Sequence, residues 1–341
     1  MTAREPRVWD FDDDDFYEIE VRRDQIEFLL RYAVLAPSTH NSQPWSFRIE
    51  PEGVAIFPDE SRALPVADSE QRELFMSLGA AIANLRVAAA HFGSSSTLAF
   101  PACPAEGEWS AFVSLTETCA PDMRLASLFD AIRRRRTNRR SFSAQPIEPD
   151  ALAPILDCVE EFADVFSVVF AHDQTRMADL VAFADKVQMQ DDQYRAELSH
   201  WTRSQADAAN DGLLAESIGF PRAVAGAAPF ILRHVDLGAL QAYRDHDLAA
   251  SAACLIVVSA FDDRVSLVNA GESLELLLLT ITRSGLQYSF LNAPVQLPDM
   301  RERVATVTGA RRPPQLILRI GPGQPIVHPT PRRPIHEVVQ A

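Results

Sequence analysis

Six arginines lie within eight residues, from Arg133 to Arg140, in a chain of 341 residues whose formal net charge is −15. Such density of positive charge requires an anion or solvent. A guanidinium fork forms bidentate, charge-assisted hydrogen bonds to phosphate oxygens, so phosphate binding is one interpretation. A solvated helix end and a local nucleic-acid patch are the alternatives. The net negative charge argues against nucleic acid as a partner of the whole surface.

A second polar segment, APSTHNSQPW at 36–45, places six side chains able to hydrogen-bond between two prolines. Such a loop can form a polar collar around a planar heterocycle rich in donors and acceptors. Ser, Thr and Asn can also simply cap backbone groups, so a structural turn is the alternative. His40 is a candidate general acid, although its position favours a turn residue.

Several classes of site are not expected. The sequence has no GxGxxG, P-loop, HExxH or GxSxG motif. Its four cysteines (Cys103, Cys119, Cys158 and Cys254) form no CxxC pair, which predicts reduced thiols and no metal site. The N-terminus has no apolar signal region, and the longest apolar stretch, about 248–261, is shorter than a membrane span. A cytoplasmic protein without membrane insertion is therefore expected.

The elements around these segments follow a helix and strand pattern. Asp24 precedes apolar residues at helical spacing and predicts the N-cap of a helix that ends at Pro37. Alternating residues at 45–49 predict a strand, with 54–57 as its hairpin partner. Residues 73–91 predict a buried helix. The composition, 47% hydrophobic and 23% charged, is that of a globular protein with a sizeable core.

The pattern recurs. Residues 78–93 parallel 270–285 at an offset of 192, and the helix start at Asp24 recurs at Asp150 at an offset of 126. Two copies of one α+β unit are predicted, 1–122 and 123–341, although two unrelated buried helices would give a similar pattern. The difference in offset, 192 − 126 = 66 residues, places an insertion at about 172–235. Its polar part, 188–220, predicts exposed helices that are either decoration or a lid.

Three segments resemble the flavin-dependent nitroreductase superfamily, and particularly its two-repeat Acg-like branch of FMN-binding oxidoreductases. The stretch APSTHNSQPWSF (36–47) is similar to the family's flavin-facing loop. The spacing Arg136-x-Asn138-x-Arg140-x-Phe142 resembles its phosphate motif, and the tail at 331–339 its basic C-terminal segment. The resemblance implies a nitroreductase-like fold around antiparallel-rich sheets.

The resemblance also implies where FMN binds. In that family FMN lies between two subunits, one supplying phosphate arginines and the other a polar loop. Here the loop occurs only in the first copy, and the arginine motif and tail only in the second, so one site at an internal pseudo-dimer interface is expected. The residues implied are Arg136, Asn138, Arg140 and Arg332 for the phosphate, Ser38, Thr39, Asn41 and Gln43 for the ring or ribityl chain, and the backbone of Leu291 and Asn292 for flavin N5.

The expected activity is hydride transfer from NAD(P)H to FMN N5 and on to a nitroaromatic, quinone or other conjugated acceptor. No catalytic side chain is expected, because the cofactor carries the electrons. Two other functions stay open. One is a lidded FMN-binding protein that sequesters the cofactor with little turnover, and the other is a protein whose arginines bind a different anion. A further homodimer is also possible from the sequence.

Overall fold

The computed structural model describes residues 8–100, 111–117, 120–143, 145–169, 171–204, 207 and 209–340. Cys103 and Cys119 lie outside these ranges, as does part of the predicted boundary between the two copies. Within them the strands are β1 (Trp45–Glu50), β2 (Gly53–Pro58), β3 (Ser94–Ala99), β4 (Ala111–Glu117), β5 (Phe166–Val169), β6 (Thr202–Arg203), β7 (Leu213–Leu214), β8 (Cys254–Ser259), β9 (Gln287–Phe290) and β10 (Pro314–Gly321).

The helices of the described residues vary from one turn to more than five. They are α1 (Arg22–Ala33), α2 (Arg72–His91), α3 (Met123–Ala126), α4 (Phe129–Ile132), α5 (Pro149–Glu161), α6 (Ala171–Gln190), α7 (Asp192–His200), α8 (Ala228–His234), α9 (Gly238–Ala250), α10 (Arg264–Arg283), α11 (Ala293–Gln296), α12 (Pro298–Thr308) and α13 (Ile335–Val338).

Two four-stranded antiparallel sheets form the frame, in the orders β1-β2-β4-β3 and β5-β8-β10-β9. The predicted hairpin is confirmed, since Trp45 pairs with Pro58 and Glu50 with Gly53. The mixed helices and antiparallel sheets agree with the predicted α+β class. The duplication itself stays a prediction, although each sheet belongs to a different half of the chain.

The predicted helix starts are wrong by two or three residues. Helix α1 begins at Arg22 behind Val21, so Asp24 lies in the first turn and does not cap the helix. Helix α5 begins at Pro149, because proline fits the first turn of a helix and Asp150 follows it. In both helices the acidic residue in the first turn still stabilises the helix, because its negative charge interacts favourably with the positive end of the helix dipole.

Helices α2 and α10 cross at the centre of the molecule. A Cβ added at Gly79 would lie 2.0 Å from the Val268 carbonyl oxygen, and one at Gly271 would lie 2.0 Å from the Met76 oxygen. The two backbones therefore touch where the predicted repeat placed its matching glycines. Only glycine permits this approach.

The same two helices correct the expectation about membrane spans. By length and composition alone, α2 and α10 could each cross a membrane, and the bent pair 222–234 and 238–250 could form a third span. The expectation considered continuous apolar runs and missed helices interrupted by a few polar residues. In α2 and α10, 89% and 78% of the apolar window is buried inside the protein, which accounts for their hydropathy.

Two extended segments lie along the edges of the two sheets. Val339 in the C-terminal tail forms a parallel bridge with Phe47 of β1, and the Gln340 N–H donates to the Phe47 oxygen at 2.7 Å. Thr137 in the arginine run forms a parallel bridge with Tyr288 of β9. The tail thus joins the first sheet, while the arginine run follows the edge of the second.

The insertion forms helices α6 to α9, and it packs instead of extending into solvent. Tyr194, Leu198 and Trp201 are buried against Leu64 and Ala67 of the first half. The expectation of exposed helices is therefore wrong for one face of 188–220, because these apolar residues are spaced along a mostly polar sequence. Helix α9 packs on α6, so the packed unit extends past residue 235 to about 250.

Candidate functional site

A cavity of about 1130 Å³ opens between the frame and the insertion. Its frame wall consists of the polar loop, the arginine run, the end of β9 and the C-terminal tail. Its insertion wall consists of α6, α7, the turns at 213–221, α8 and α9. Eight of the ten predicted site residues line it: Ser38, Thr39, Asn41, Arg136, Arg140, Leu291, Asn292 and Arg332.

The polar loop has an unusual backbone. His40, Asn41 and Gln43 have φ of 54°, 54° and 53°, in the left-handed region that favours glycine. The Gln43 N–H donates to Ser38 Oγ at 2.8 Å, which closes the turn. A non-glycine residue held in this backbone conformation costs of order 1–3 kcal/mol, and such residues are concentrated at binding sites.

Two side chains of this loop hold other segments in place. Asn41 Nδ2 donates to the Gly212 and Pro331 oxygens, each at 3.1 Å, and its Oδ1 accepts from Arg332 at 2.8 Å. Asn41 therefore joins the loop to the insertion and to the tail.

Gln43 is fully buried and does not line the cavity. Its Nε2 donates to the Asn210 oxygen at 2.8 Å, and its Oε1 accepts from the Arg333 N–H at 2.8 Å. A direct ligand contact by Gln43 would require giving up these bonds.

The arginine run divides into structural and cavity-lining residues. Arg135 is buried beside Glu275, with Nε 3.0 Å from a carboxylate oxygen, and Arg133 pairs with Asp13. Apart from the ion-paired Arg135, the arginines of the run that line the cavity are Arg136, Arg139 and Arg140. None of those three forms an ion pair with another described residue.

Arg139 was not among the predicted site residues. The alternating motif spacing skips it, although it belongs to the same run.

Asn138 is buried and lies outside the cavity lining. Its Nδ2 donates to Gln287 Oε1 at 3.1 Å and to the Gln324 oxygen at 2.9 Å. Its Oδ1 accepts from the Arg140 N–H at 3.1 Å, so Asn138 positions the backbone that carries Arg140.

Arg332 brings the tail under the polar loop. Its guanidinium donates to the Leu35 and Ala36 oxygens, both at 3.2 Å, as well as to Asn41 Oδ1. Burial, and then the charges of Arg135 and Arg136, lower the pKa of Arg332 to about 9. The positive charges of Arg135, Arg136 and Arg332 thus lie close together, and the buried carboxyl of Glu275 offsets them only in part.

Arg136 stacks on Trp9, with its guanidinium carbon 4.3 Å from the ring centroid. Burial, and then the charge of Arg135, lowers its pKa to about 10. Burial also lowers the pKa of Arg139. A bound anion would relieve this repulsion.

Two titratable groups complete the frame wall. Burial, and then Arg139, lowers the pKa of His40 to about 4, and His40 Nε2 has no partner within the described chain. Glu73 accepts hydrogen bonds from Thr39 Oγ1 and, at 2.7 Å, from Gln296 Nε2. Burial and the nearby Asp68 raise the Glu73 pKa to about 7.

The end of β9 presents backbone to the cavity. The Leu291 N–H donates to the Ile317 oxygen at 2.9 Å, which occupies it within the sheet. Asn292 Oδ1 accepts from the Ile317 N–H at 3.1 Å and fixes the turn. Of the two predicted residues, only Asn292 has an N–H that meets no acceptor among the described residues.

The insertion wall was not predicted in residue detail. It presents apolar side chains such as Val181, Leu240 and Leu248, together with Asp185 on α6 and Asp245 on α9. The two aspartates are sixty residues apart, and no sequence pattern links them. They meet only because α6 and α9 pack together.

Comparison with known proteins gives full-length relatives in Mycobacterium tuberculosis (strain H37Rv). "Putative NAD(P)H nitroreductase Rv3131" is 31% identical over 92% of this chain and 91% of its own. "Putative NAD(P)H nitroreductase acg" is 30% identical over 93% of this chain and 96% of its own. No protein-family model matches the chain.

Solved structures overlap less well. A nitroreductase from Anabaena variabilis, itself described as putative, is 12% identical over 93% of this chain and 91% of its own, with a TM-score of 0.47. The FMN-dependent nitroreductase NfnB from Mycobacterium smegmatis, solved with NADPH, is 15% identical over 64% of this chain and 99% of its own, with a TM-score of 0.42. The family assignment rests on the sequence relatives. This chain belongs to the Acg-like branch of the nitroreductase family of oxidoreductases.

Proposed function

We propose that this protein is an FMN-dependent oxidoreductase that takes hydride from NADH or NADPH and reduces a nitroaromatic, quinone or other conjugated acceptor. One observation carries the proposal. Three guanidinium groups from the second half of the chain, which have no ion-pair partner among the described residues, line the same cavity as the strained polar loop of the first half.

The residues fit FMN in charge and in hydrogen bonding. Arg136, Arg139 and Arg140 would hold the phosphate, because charge-assisted bonds to phosphate satisfy guanidinium groups that repel one another. The unpartnered Nε atoms of Arg136 and Arg332 and the unpartnered His40 Nε2 supply further polar atoms. Arg139 thereby takes the direct role that the motif assigned to Asn138.

The ring and ribityl chain would meet Ser38, Thr39 and His40. Asn41, Gln43 and Asn138 would act by holding the segments that line the cavity, through the bonds described above. The Asn292 N–H would donate a hydrogen bond to flavin N5. Bound FMN would supply hydride exchange at N5, and the surrounding protein would orient it and exclude water.

A second candidate function is FMN sequestration, favoured by how firmly the insertion is attached. Asp211 pairs with Arg62 of the first half and with Arg203, and Glu197 accepts from the N–H groups of Val66 and Ala67 at 2.9 and 2.8 Å. An insertion held closed over the ring would retain FMN and slow exchange of substrates.

The test is a visible absorption spectrum of the purified protein, with flavin counted per chain after denaturation, followed by anaerobic NADH or NADPH. We expect one FMN per chain that bleaches with a nicotinamide and regains colour on adding menadione. FMN that resists bleaching would favour sequestration. A chain that binds no flavin after reconstitution would contradict both functions, and two FMN per chain would contradict the single site.

A further inference from the structure

We propose that Asp185 carries a proton at the insertion wall of the cavity and donates it to the oxygen of the acceptor during reduction. The proposal rests on the proposed function and names a residue that the flavin site itself does not require. It identifies the acceptor as a compound whose oxygen accepts a hydrogen bond, such as a quinone carbonyl.

Asp185 lines the cavity and is only 2% exposed. Its Oδ1 accepts a hydrogen bond from Gln241 at 3.2 Å, whereas its Oδ2 is buried without a partner among the described residues. An ionised carboxylate with an unsatisfied buried oxygen is costly. A protonated Oδ2 turns this atom into a donor that a ligand oxygen in the cavity can accept.

The neighbouring charges favour the protonated form. Asp245 on α9 lines the same cavity and acts on Asp185 as a like charge, while Arg244 on α9 opposes it. Burial and Asp245 raise the Asp185 pKa to about 8. Burial raises the Asp245 pKa as well, but the charges of Arg244, Arg319 and Arg139 oppose this shift, so Asp185 is the member of the pair with less compensation.

Other ionisable groups around Asp185 do not supply a counter-charge. The buried phenol of Tyr194 on α7 also lines the cavity, and its pKa is raised first by burial and then by the charges of Asp185, Glu73, Glu197 and Asp245. Lys186, the neighbour of Asp185 along α6, does not line the cavity. The same wall presents the apolar side chains of Val181, Leu240 and Leu248, which suit an aromatic acceptor.

The step balances for a quinone. Hydride that originates from a reduced nicotinamide adds to the quinone, the C=O π bonds shift, and one carbonyl oxygen gains the displaced electron pair. That oxygen takes the proton of Asp185, forming an O–H bond as the carboxyl O–H bond breaks. The product is a hydroquinone, and the Asp185 carboxylate regains a proton from water.

The first measurement is infrared spectroscopy of wild type and Asp185→Asn across the pH at which Asp185 titrates, about 8. We expect the difference spectrum between wild type and Asp185→Asn to contain a protonated carboxyl band that disappears through this pH, because other buried carboxyls such as Glu73, with a pKa of about 7, are present in both proteins. Asp245→Asn should move the titration to lower pH, because it removes the like charge. Asp247→Asn, an exposed change on the same helix, is the matched control and should leave the band unchanged. A difference spectrum without this band would overturn the proposal.

The second measurement separates the two half-reactions in the flavin-loaded protein. We expect Asp185→Asn to slow reoxidation by menadione at least tenfold, since general acids contribute about 10²–10⁴ in rate, and to leave reduction by NADPH unchanged. In wild type the rate of reoxidation should fall above pH 8, where Asp185 loses its proton, and in Asp185→Asn this dependence on pH should disappear. Equal reoxidation in both proteins would overturn the donor role. A wild type that never reduces menadione would contradict the proposed function and the donor role together, while the infrared band would still report whether Asp185 carries the proton.

Discussion

The two walls of the cavity differ in charge, in backbone and in how the chain supplies them. The frame wall is cationic and polar, and its loop holds three residues at positive φ. The insertion wall presents apolar side chains together with an acidic pair, Arg244 and amides such as Gln188 and Gln241, and most of it is helical. The difference indicates that the two walls have separate roles. The frame would bind an anionic, heterocyclic cofactor, and the insertion would bind an aromatic acceptor.

The largest test breaks the cationic wall. Replacing Arg136 and Arg140 with alanine should weaken FMN binding at least about 100-fold, because two charge-assisted bonds are lost at about 1.5–3 kcal/mol each. Flavin fluorescence titration measures the dissociation constant. Arg134→Ala, at an exposed position of the same run, is the control. Unchanged FMN retention in the double variant would remove the phosphate assignment.

The next test targets the junction between the walls. Asn41→Leu should lower the free energy of unfolding by about 2–4 kcal/mol, since it removes the hydrogen bonds of Asn41 to the Gly212 and Pro331 oxygens and to Arg332, and strains a residue at positive φ. Urea denaturation measures this loss, and FMN affinity should fall with it. Asn41→Gly removes the same amide, but glycine adopts a positive φ without strain. Its free energy of unfolding should therefore fall by about 1 kcal/mol less than that of Asn41→Leu. Equal losses in the two variants would argue against backbone strain in the loop.

A third test concerns the acidic pair of the insertion wall. The Asp185 pKa is about 8 in the folded chain against an ordinary 3.8. As the pH rises between these values, the unfolded chain ionises while the folded chain keeps its proton, so stability falls and then levels off above 8. Asp185→Asn should therefore be more stable than wild type by about 1–3 kcal/mol at high pH, and the gain should shrink on acidification. Thermal unfolding at several pH values measures it, and a gain that does not vary with pH would contradict a protonated Asp185.

The smallest test loosens the insertion from the frame. Asp211→Asn weakens the pairs with Arg62 and Arg203 and should accelerate FMN release by up to about tenfold, as expected from the loss of about 1 kcal/mol in a partly exposed ion pair. Stopped-flow release of FMN into an excess of an FMN-binding apoprotein measures the rate. Asp247→Asn serves as the control. Release at the wild-type rate would show that these ion pairs do not hold the cavity closed.

How far the sequence predicted the site differs between the walls. The loop at 36–45 and the run at 133–140 each concentrate polar or charged residues locally, so they could be found without a structure. The role of individual residues was harder to predict. Asn138 and Gln43 belong to recognisable motifs, but their side chains bond to other segments.

Arg139 shows the opposite error. It lies inside a recognised run but outside the motif spacing, and it lines the cavity because the segment bridges to β9 at Thr137. Asp185 and Asp245 gave no signal, because a lone aspartate on an amphipathic helix is common on a solvated surface.

The amino-acid sequence by itself determined the α+β class, the hairpin, the central helices with their glycines, and the two polar segments, because these depend on local periodicity, turn chemistry and concentrated charge. Only the tertiary structure decided which arginines keep ion-pair partners, which amides hold the chain, and that the insertion forms the second wall. Those properties depend on contacts between residues far apart in sequence, and burial there sets both hydrogen-bond partners and pKa values.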